Sequence, residues 1–98
     1  MHAVIRTYKE ATPLIEEMIR KRQDIENTIA SVDGFVSYHA VRTGGGLVTI
    51  TICQTEVATQ ETTARAATWI RENLGSLAIE APTVTSGEIF LQLTGQGV

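Results

Sequence analysis

The chain has one cysteine, Cys53, in 98 residues, which excludes an intrachain disulfide and points to a reducing compartment. Histidine is almost as scarce. His2 and His39 together with the lone thiol match no metal-ligand spacing, so no bound metal is expected. Basic residues are outnumbered, 8 Lys and Arg against 11 Asp and Glu, and the net charge of −3 gives no broad attraction for a phosphate backbone. Nucleic acid is therefore not an expected partner. The one basic run, Arg20-Lys21-Arg22, reads as the solvated face of a helix. No apolar stretch approaches the ~20 residues that span a bilayer, so no membrane partner is expected. The first twenty residues hold Arg6, Lys9, Glu10, Glu16, Glu17 and Arg20, which predicts no leader and a cytoplasmic location. Gly44-Gly45-Gly46 is followed by neither Lys-Ser/Thr nor a helix, so it is a turn and no phosphate loop, and no cofactor motif is found.

What is present is 43% hydrophobic residues without low complexity, the composition of one globular domain over 1–98. Gly34 to Arg42 and Leu47 to Ile52 are β-rich runs joined by the glycine turn, which makes a hairpin. His2 to Lys9 alternates loosely and reads as a first strand. Thr12 and Pro13 open a helix whose apolar stripe runs Leu14, Ile15, Met18, Ile19, Ile25, Ile29, Val32, and which stops before Asp33-Gly34. A second helix is predicted over Val57 to Leu74, capped by Thr55 or Thr59 and closed by Gly75 in the left-handed region. Ala64, Ala67, Ile70, Arg71 and Leu74 trace its expected inner stripe. The last strand is expected within Val84 to Leu93, centred on Glu88-Ile89-Phe90-Leu91, with a loose tail after it.

This order, strand–helix–strand–strand–helix–strand, is the ferredoxin-like α+β arrangement: a four-stranded antiparallel sheet with two helices on one face. Val48, Ile50 and Ile52 are expected beneath the helices, and Leu47, Thr49, Thr51 and Cys53 on the bare face. A bare apolar face needs cover, and a second copy of the chain is the commonest cover, so a homodimer through the sheet is predicted. The hairpin register stays open. A two-residue loop sets Phe35, Ser37 and His39 beside Ile50 and Ile52; a three-residue loop sets Val36, Tyr38 and Ala40 there instead.

Asp33-Gly34-Phe35-Val36-Ser37-Tyr38 resembles the Pro-Gly-Phe-x-x-Tyr strand entry of the antibiotic biosynthesis monooxygenase (ABM)-like proteins, members of the dimeric α/β-barrel superfamily. Val48 to Glu56, Thr62 to Leu74 and Val84 to Ile89 are similar to an uncharacterised branch of that group. The resemblance implies a ligand pocket between helices and sheet, and sheets packed back to back in a dimer. It implies enzymes that oxygenate aromatic polyketides without a cofactor, or degrade haem. Ile52-Cys53-Gln54 stands where the group usually has Glu-x-Trp, and the second helix carries no histidine to ligate haem iron.

Few residues can carry chemistry. Tyr38 can donate to a ligand oxygen, or be a core tyrosine; Tyr8 carries the same two readings. His39 titrates near neutrality and can move a proton, or be a half-buried strand residue. Trp69, off the expected inner stripe by one position, can wall a flat ligand or simply pack. Arg6 can clamp an anion, or pair with Glu88 across adjacent strands, and Arg42 is weighed in the same way. Cys53 lacks an activating base and reads as core. Tyr38 and His39 as proton-handling residues, with Trp69, Tyr8 and Arg6 as substrate contacts, give a cofactor-independent monooxygenase acting on an aromatic or quinone-like molecule. The alternatives are a non-catalytic module binding a small apolar ligand, and a structural dimer with a filled core.

Overall fold

His2–Lys9 forms β1, with Val4, Arg6 and Tyr8 turned under the helices and Ile5 and Thr7 turned away. The computed structural model describes residues 1–77 and 79–95. The expected first helix is two helices, α1 (Thr12–Arg20) and α2 (Arg22–Ile29), broken at Lys21, whose φ is −110° and ψ 35°. Between Ile19 and Ile25 the sequence is wholly polar, so no apolar anchor holds that turn to the sheet. Lys21 is tied sideways instead, donating from Nζ to Asn73 Oδ1 at 3.0 Å. Thr12 is not the cap: Ala11 occupies that position without a side-chain bond, and Thr12 and Pro13 form the first turn.

β2 (Phe35–Thr43) and β3 (Gly46–Cys53) are joined by the two-residue Gly44-Gly45 loop, with Thr43 opposite Gly46. Gly46 has a φ of +146°, and a Cβ there would sit 2.1 Å from the Tyr8 carbonyl oxygen, so only glycine fits. The register pairs His39 with Ile50 and Tyr38 with Thr51, and a bulge at Val36 brings Phe35 opposite Cys53. Facing on β3 is the reverse of expectation. Leu47, Thr49, Thr51 and Cys53 are buried under the helices, while Val48, Ile50 and Ile52 are half-buried on the open face.

α3 (Glu56–Leu74) is capped by Thr55, whose Oγ1 accepts from the Ala58 N–H at 3.1 Å. Its inner face is Ala58, Thr59, Thr62, Trp69 and Leu74; Ala64, Ala67 and Arg71, expected inside, are exposed. Gly75 is right-handed, with φ −61°, because the chain leaves α3 in a tight turn closed by Leu77 N–H to Leu74 C=O at 2.9 Å.

β4 (Thr83–Glu88) ends three residues before Leu91, which corrects the expected centre of this strand. Glu88 lies opposite His2, and one further bond, from the Ile89 N–H to the Met1 carbonyl at 2.9 Å, follows the last ladder pair. The same register overturns the Arg6–Glu88 pair: Arg6 lies opposite Val84. Phe90, Leu91 and Leu93 follow β4 and are exposed. Of the expected tail, residues 96–98 lie outside the described residues.

The sheet order is β2-β3-β1-β4, antiparallel throughout, with all three helices on one face: the ferredoxin-like arrangement with its first helix broken. Tyr8, Ala11, Leu14, Leu47, Trp69 and Leu74 form one apolar cluster, and Val32, Cys53 and Ala58 a second. Along β3 the two are separated by Thr49 and Thr51, which belong to a polar layer around Arg6.

Candidate functional site

α2 leans on α3 and stands off β2, so the helix layer is not closed over the sheet. Three spaces lie in that gap, and Ile25 borders all of them. The innermost is a void of about 30 Å³, room for a water, bounded by Tyr8, Tyr38, Thr49, Met18 and Trp69. On one side of Ile25 it gives way to a cleft of about 440 Å³, floored by Met18, Ala40 and Leu47, with Arg22 and Arg42 at its walls. On the other side is a cleft of about 340 Å³ beside Phe35, Ser37 and Tyr38, with Glu26 and Arg22 on its helix side.

The strand period determines which side chains reach this gap. Tyr8 on β1, Tyr38 on β2 and Thr49 on β3 share the helix-facing surface and meet at the inner void. Trp69 closes it from α3. Its Nε1 donates to Asp24 Oδ2 at 2.7 Å, which fixes the indole as a flat wall. Burial pushes the Tyr38 hydroxyl up to about 12, against the opposing pull of the Arg6 charge. Tyr8 is raised for the same reason, again opposed by Arg6. At neutral pH both are therefore phenolic donors.

Arg6 stands one layer behind, 1% exposed. Its Nη1 donates to Thr51 Oγ1 at 3.0 Å and Thr49 Oγ1 at 3.4 Å; Nη2 donates to Thr62 Oγ1 at 3.0 Å and Thr63 Oγ1 at 2.9 Å; Nε reaches Thr63 Oγ1 at 3.3 Å. Among the described residues no carboxylate pairs with it. Desolvation lowers its pKa, with Tyr8, Tyr38 and Cys53 acting the other way.

Of the residues singled out in the sequence, the structure gathers Tyr38, Tyr8 and Trp69 around one void and sets Arg6 behind them. His39 is exposed on the opposite face beside Ile50, separated from Tyr38 by the sheet. Cys53 is fully buried, and burial pushes its thiol up, which makes it a poor nucleophile. Met18, Ile25 and Thr49 were not foreseen as site residues. The readable signal for the polar layer was a hydroxyl stripe: Thr59, Thr62 and Thr63 at helical spacing and Thr49 and Thr51 at strand spacing. Among the described residues no group of His, Cys, Asp and Glu could hold a metal ion.

The sequence matches no protein-family model and no curated protein. Solved structures do match over nearly the full length. The haem degrader MhuD from Mycobacterium tuberculosis, with two haems bound in its active site, superposes with a TM-score of 0.68 at 15% identity, covering 96% of this chain and 100% of that one. The ActVA-Orf6 monooxygenase of Streptomyces coelicolor, in complex with nanaomycin D, gives 0.65 at 17% identity, covering 96% and 90%. The chain has an ABM-like fold. SnoaB, a cofactor-independent oxygenase from Streptomyces nogalater, has the same fold with a TM-score of 0.54 at 18% identity, covering 95% and 93%. In this version of the ABM-like fold α3 carries no histidine, and the gap under α1 and α2 is lined by tyrosines, a tryptophan and aliphatic side chains. No helix among the described residues is long and apolar enough to cross a membrane.

Proposed function

We propose that this chain is a cofactor-independent monooxygenase acting on an aromatic or quinone-like small molecule held in the cleft under α1 and α2. The observation that carries this reading is the amphipathic gap: aliphatic walls and a fixed indole end at two tyrosine hydroxyls and Thr49. An electron-rich phenol fits such a gap by stacking and by accepting from Tyr38. Once ionised, a phenol can reduce oxygen itself. One oxygen atom enters the ring and the other leaves as water, so phenol and O2 give quinone and H2O with no external reductant. Tyr38 stabilises the negative oxygen. The carry-over of activity from the structural neighbours is part of this proposal, since their likeness fixes only the fold.

The test is oxygen uptake by chelator-treated protein against a panel of phenols, naphthols and hydroxyquinones, alongside quenching of Trp69 fluorescence. Substrate-dependent uptake with quinone formed supports the reading. The small inner void favours a second reading, a binding module whose ligand rests in the outer clefts. Quenching by a ligand without uptake would select it.

We also propose that the chain is a cytoplasmic homodimer formed through the open face of the sheet. Ile5 and Val41 are exposed there, next to the half-buried Val48, Ile50 and Ile52. Sedimentation should give twice the 10.6 kDa chain mass. Ile50→Glu, at the centre of this face, should give the single chain with its helix content unchanged. A wild-type chain that sediments as a monomer at micromolar concentration would remove the dimer.

A further inference from the structure

The basic run Arg20-Lys21-Arg22 is not one solvated face. Arg20 pairs with Glu17, and Lys21 is held by Asn73 at 3.0 Å and by Glu17 at 3.6 Å. Arg22, the first residue of α2, pairs with no carboxylate among the described residues and borders the outer cleft of about 440 Å³. Arg42, near the end of β2, borders the same cleft from the strand side and is likewise unpaired among the described residues. We propose that this cleft binds an alkyl chain ending in an oxyanion, with the two arginines on the head and the cleft floor along the chain. The inference rests on the outer cleft alone, so it holds whether or not a phenol is oxygenated at the inner void.

The lining selects the body of the ligand. Five aliphatic side chains border the cleft, Ile15, Met18, Ile19, Ile25 and Leu47, and among the described residues no aromatic ring does. A flat ring has nothing to stack on there, whereas a flexible chain gains contact with each of these side chains. Leu47 belongs to the buried core cluster, and Ile15, Met18 and Ile25 pack against it, so the floor is continuous with the interior. Ile19 is 65% exposed, apolar surface that a chain lying in the cleft would cover. The volume falls in the range of small-molecule sites. Ala40 on β2 is the one small lining residue, and a larger side chain there would fill the space.

The charges select the head. No Asp or Glu among the described residues lines this cleft, in a chain whose net charge is −3. Glu26, one turn along α2 from Arg22, borders the other cleft, and Asp24 is engaged by Trp69. Two guanidiniums brought to one apolar cleft repel each other, and low-dielectric walls focus their field. An oxyanion between them relieves the repulsion, and the guanidinium fork matches the paired oxygens of a carboxylate or phosphate. Arg22 also stands at the positive end of α2, which has no side-chain cap, so the helix dipole adds to the same sign. Both arginines are exposed to solvent. The head therefore supplies selectivity, and burial of the chain supplies most of the affinity.

The experiment follows the Met18 methyl resonance in protein labelled at its two methionines, titrated at low salt below micellar concentrations. The probes are hexanoate, octanoate, decanoate, decyl phosphate, decanol and decylammonium. From hexanoate upwards each added methylene should tighten binding about four-fold until the cleft is full. Decanoate or decyl phosphate should bind at least about ten-fold more tightly than decylammonium, and the tighter of the two identifies the head. In the double variant Arg22→Gln/Arg42→Gln that preference should vanish while decanol binds as before. Ala40→Phe should abolish the Met18 response to every probe. No Met18 response to either anion, equal affinity for decanoate and decylammonium, or a preference that survives the double variant overturns the inference. So does undiminished decanoate binding by Ala40→Phe, which would put the chain elsewhere. Trp69 does not border this cleft, so its quenching by phenols tests the oxygenase reading separately.

Discussion

Tyr38→Phe should lower phenol-dependent oxygen uptake by about 10²–10³-fold, the usual effect of removing one donor to a developing oxyanion. The loss should fall on kcat, with KM little changed, because the ring that walls the cavity is kept and only the hydroxyl is lost. The size of the effect follows from the position of that hydroxyl. It lies at the polar side of a void whose other walls are mainly apolar. Steady-state oxygen-electrode kinetics on both proteins decide the matter. A change under about three-fold would make Tyr38 a wall of the cavity and no more.

The second large effect is on stability, and it depends on background. Thr62→Val, at a position with 0% exposure, keeps the shape of the side chain but removes an acceptor from Arg6. Leaving a buried charged donor unsatisfied costs about 1–3 kcal/mol, which lowers the melting temperature of a domain this size by about 4–8 °C per kcal/mol. Arg6→Met alone should change stability less than the sum of its lost bonds suggests, because it removes the uncompensated charge while leaving the Thr49 and Thr51 hydroxyls without their donor. In the double variant most of the cost of Thr62→Val should disappear. Thermal unfolding of the four proteins gives the coupling directly. Equal cost in both backgrounds would mean that Thr62 acts through packing alone.

The order of strands, the hairpin and a threonine cap on α3, with Thr55 and Thr59 both open, were legible because each rests on local signals that tertiary packing did not overrule. Tyr38, Tyr8 and Trp69, which line one void, stood out in the sequence because aromatics are few in this chain. Which way β3 faces was not legible. By composition the wholly aliphatic face, Val48, Ile50 and Ile52, is the one that looks like core, and the choice was reversed by Arg6, which requires the hydroxyls of Thr49 and Thr51 on its own side. The inner face of α3 was missed for the same reason. A search for apolar periodicity selects Ala64 and Ala67, whereas the buried positions are Thr59 and Thr62. β4 ends at Glu88, opposite His2, although Ile89-Phe90-Leu91 continues an apolar, strand-like run.

The polar layer between the two apolar clusters also governs which native state forms. Apolar contacts between a helix and a sheet are tolerant of sliding, since one aliphatic side chain replaces another at little loss. A guanidinium surrounded by hydroxyls is not tolerant. If α3 moved by one turn along β1 and β3, Thr62 and Thr63 would leave the cation, and either Thr59 alone or Ala66 and Ala67 would take their place. Arg6 thus works as a key that admits one alignment of α3 and penalises its neighbours. A repacked apolar interior would melt higher yet sample several alignments, broadening the amide resonances of α3 before any loss of secondary structure.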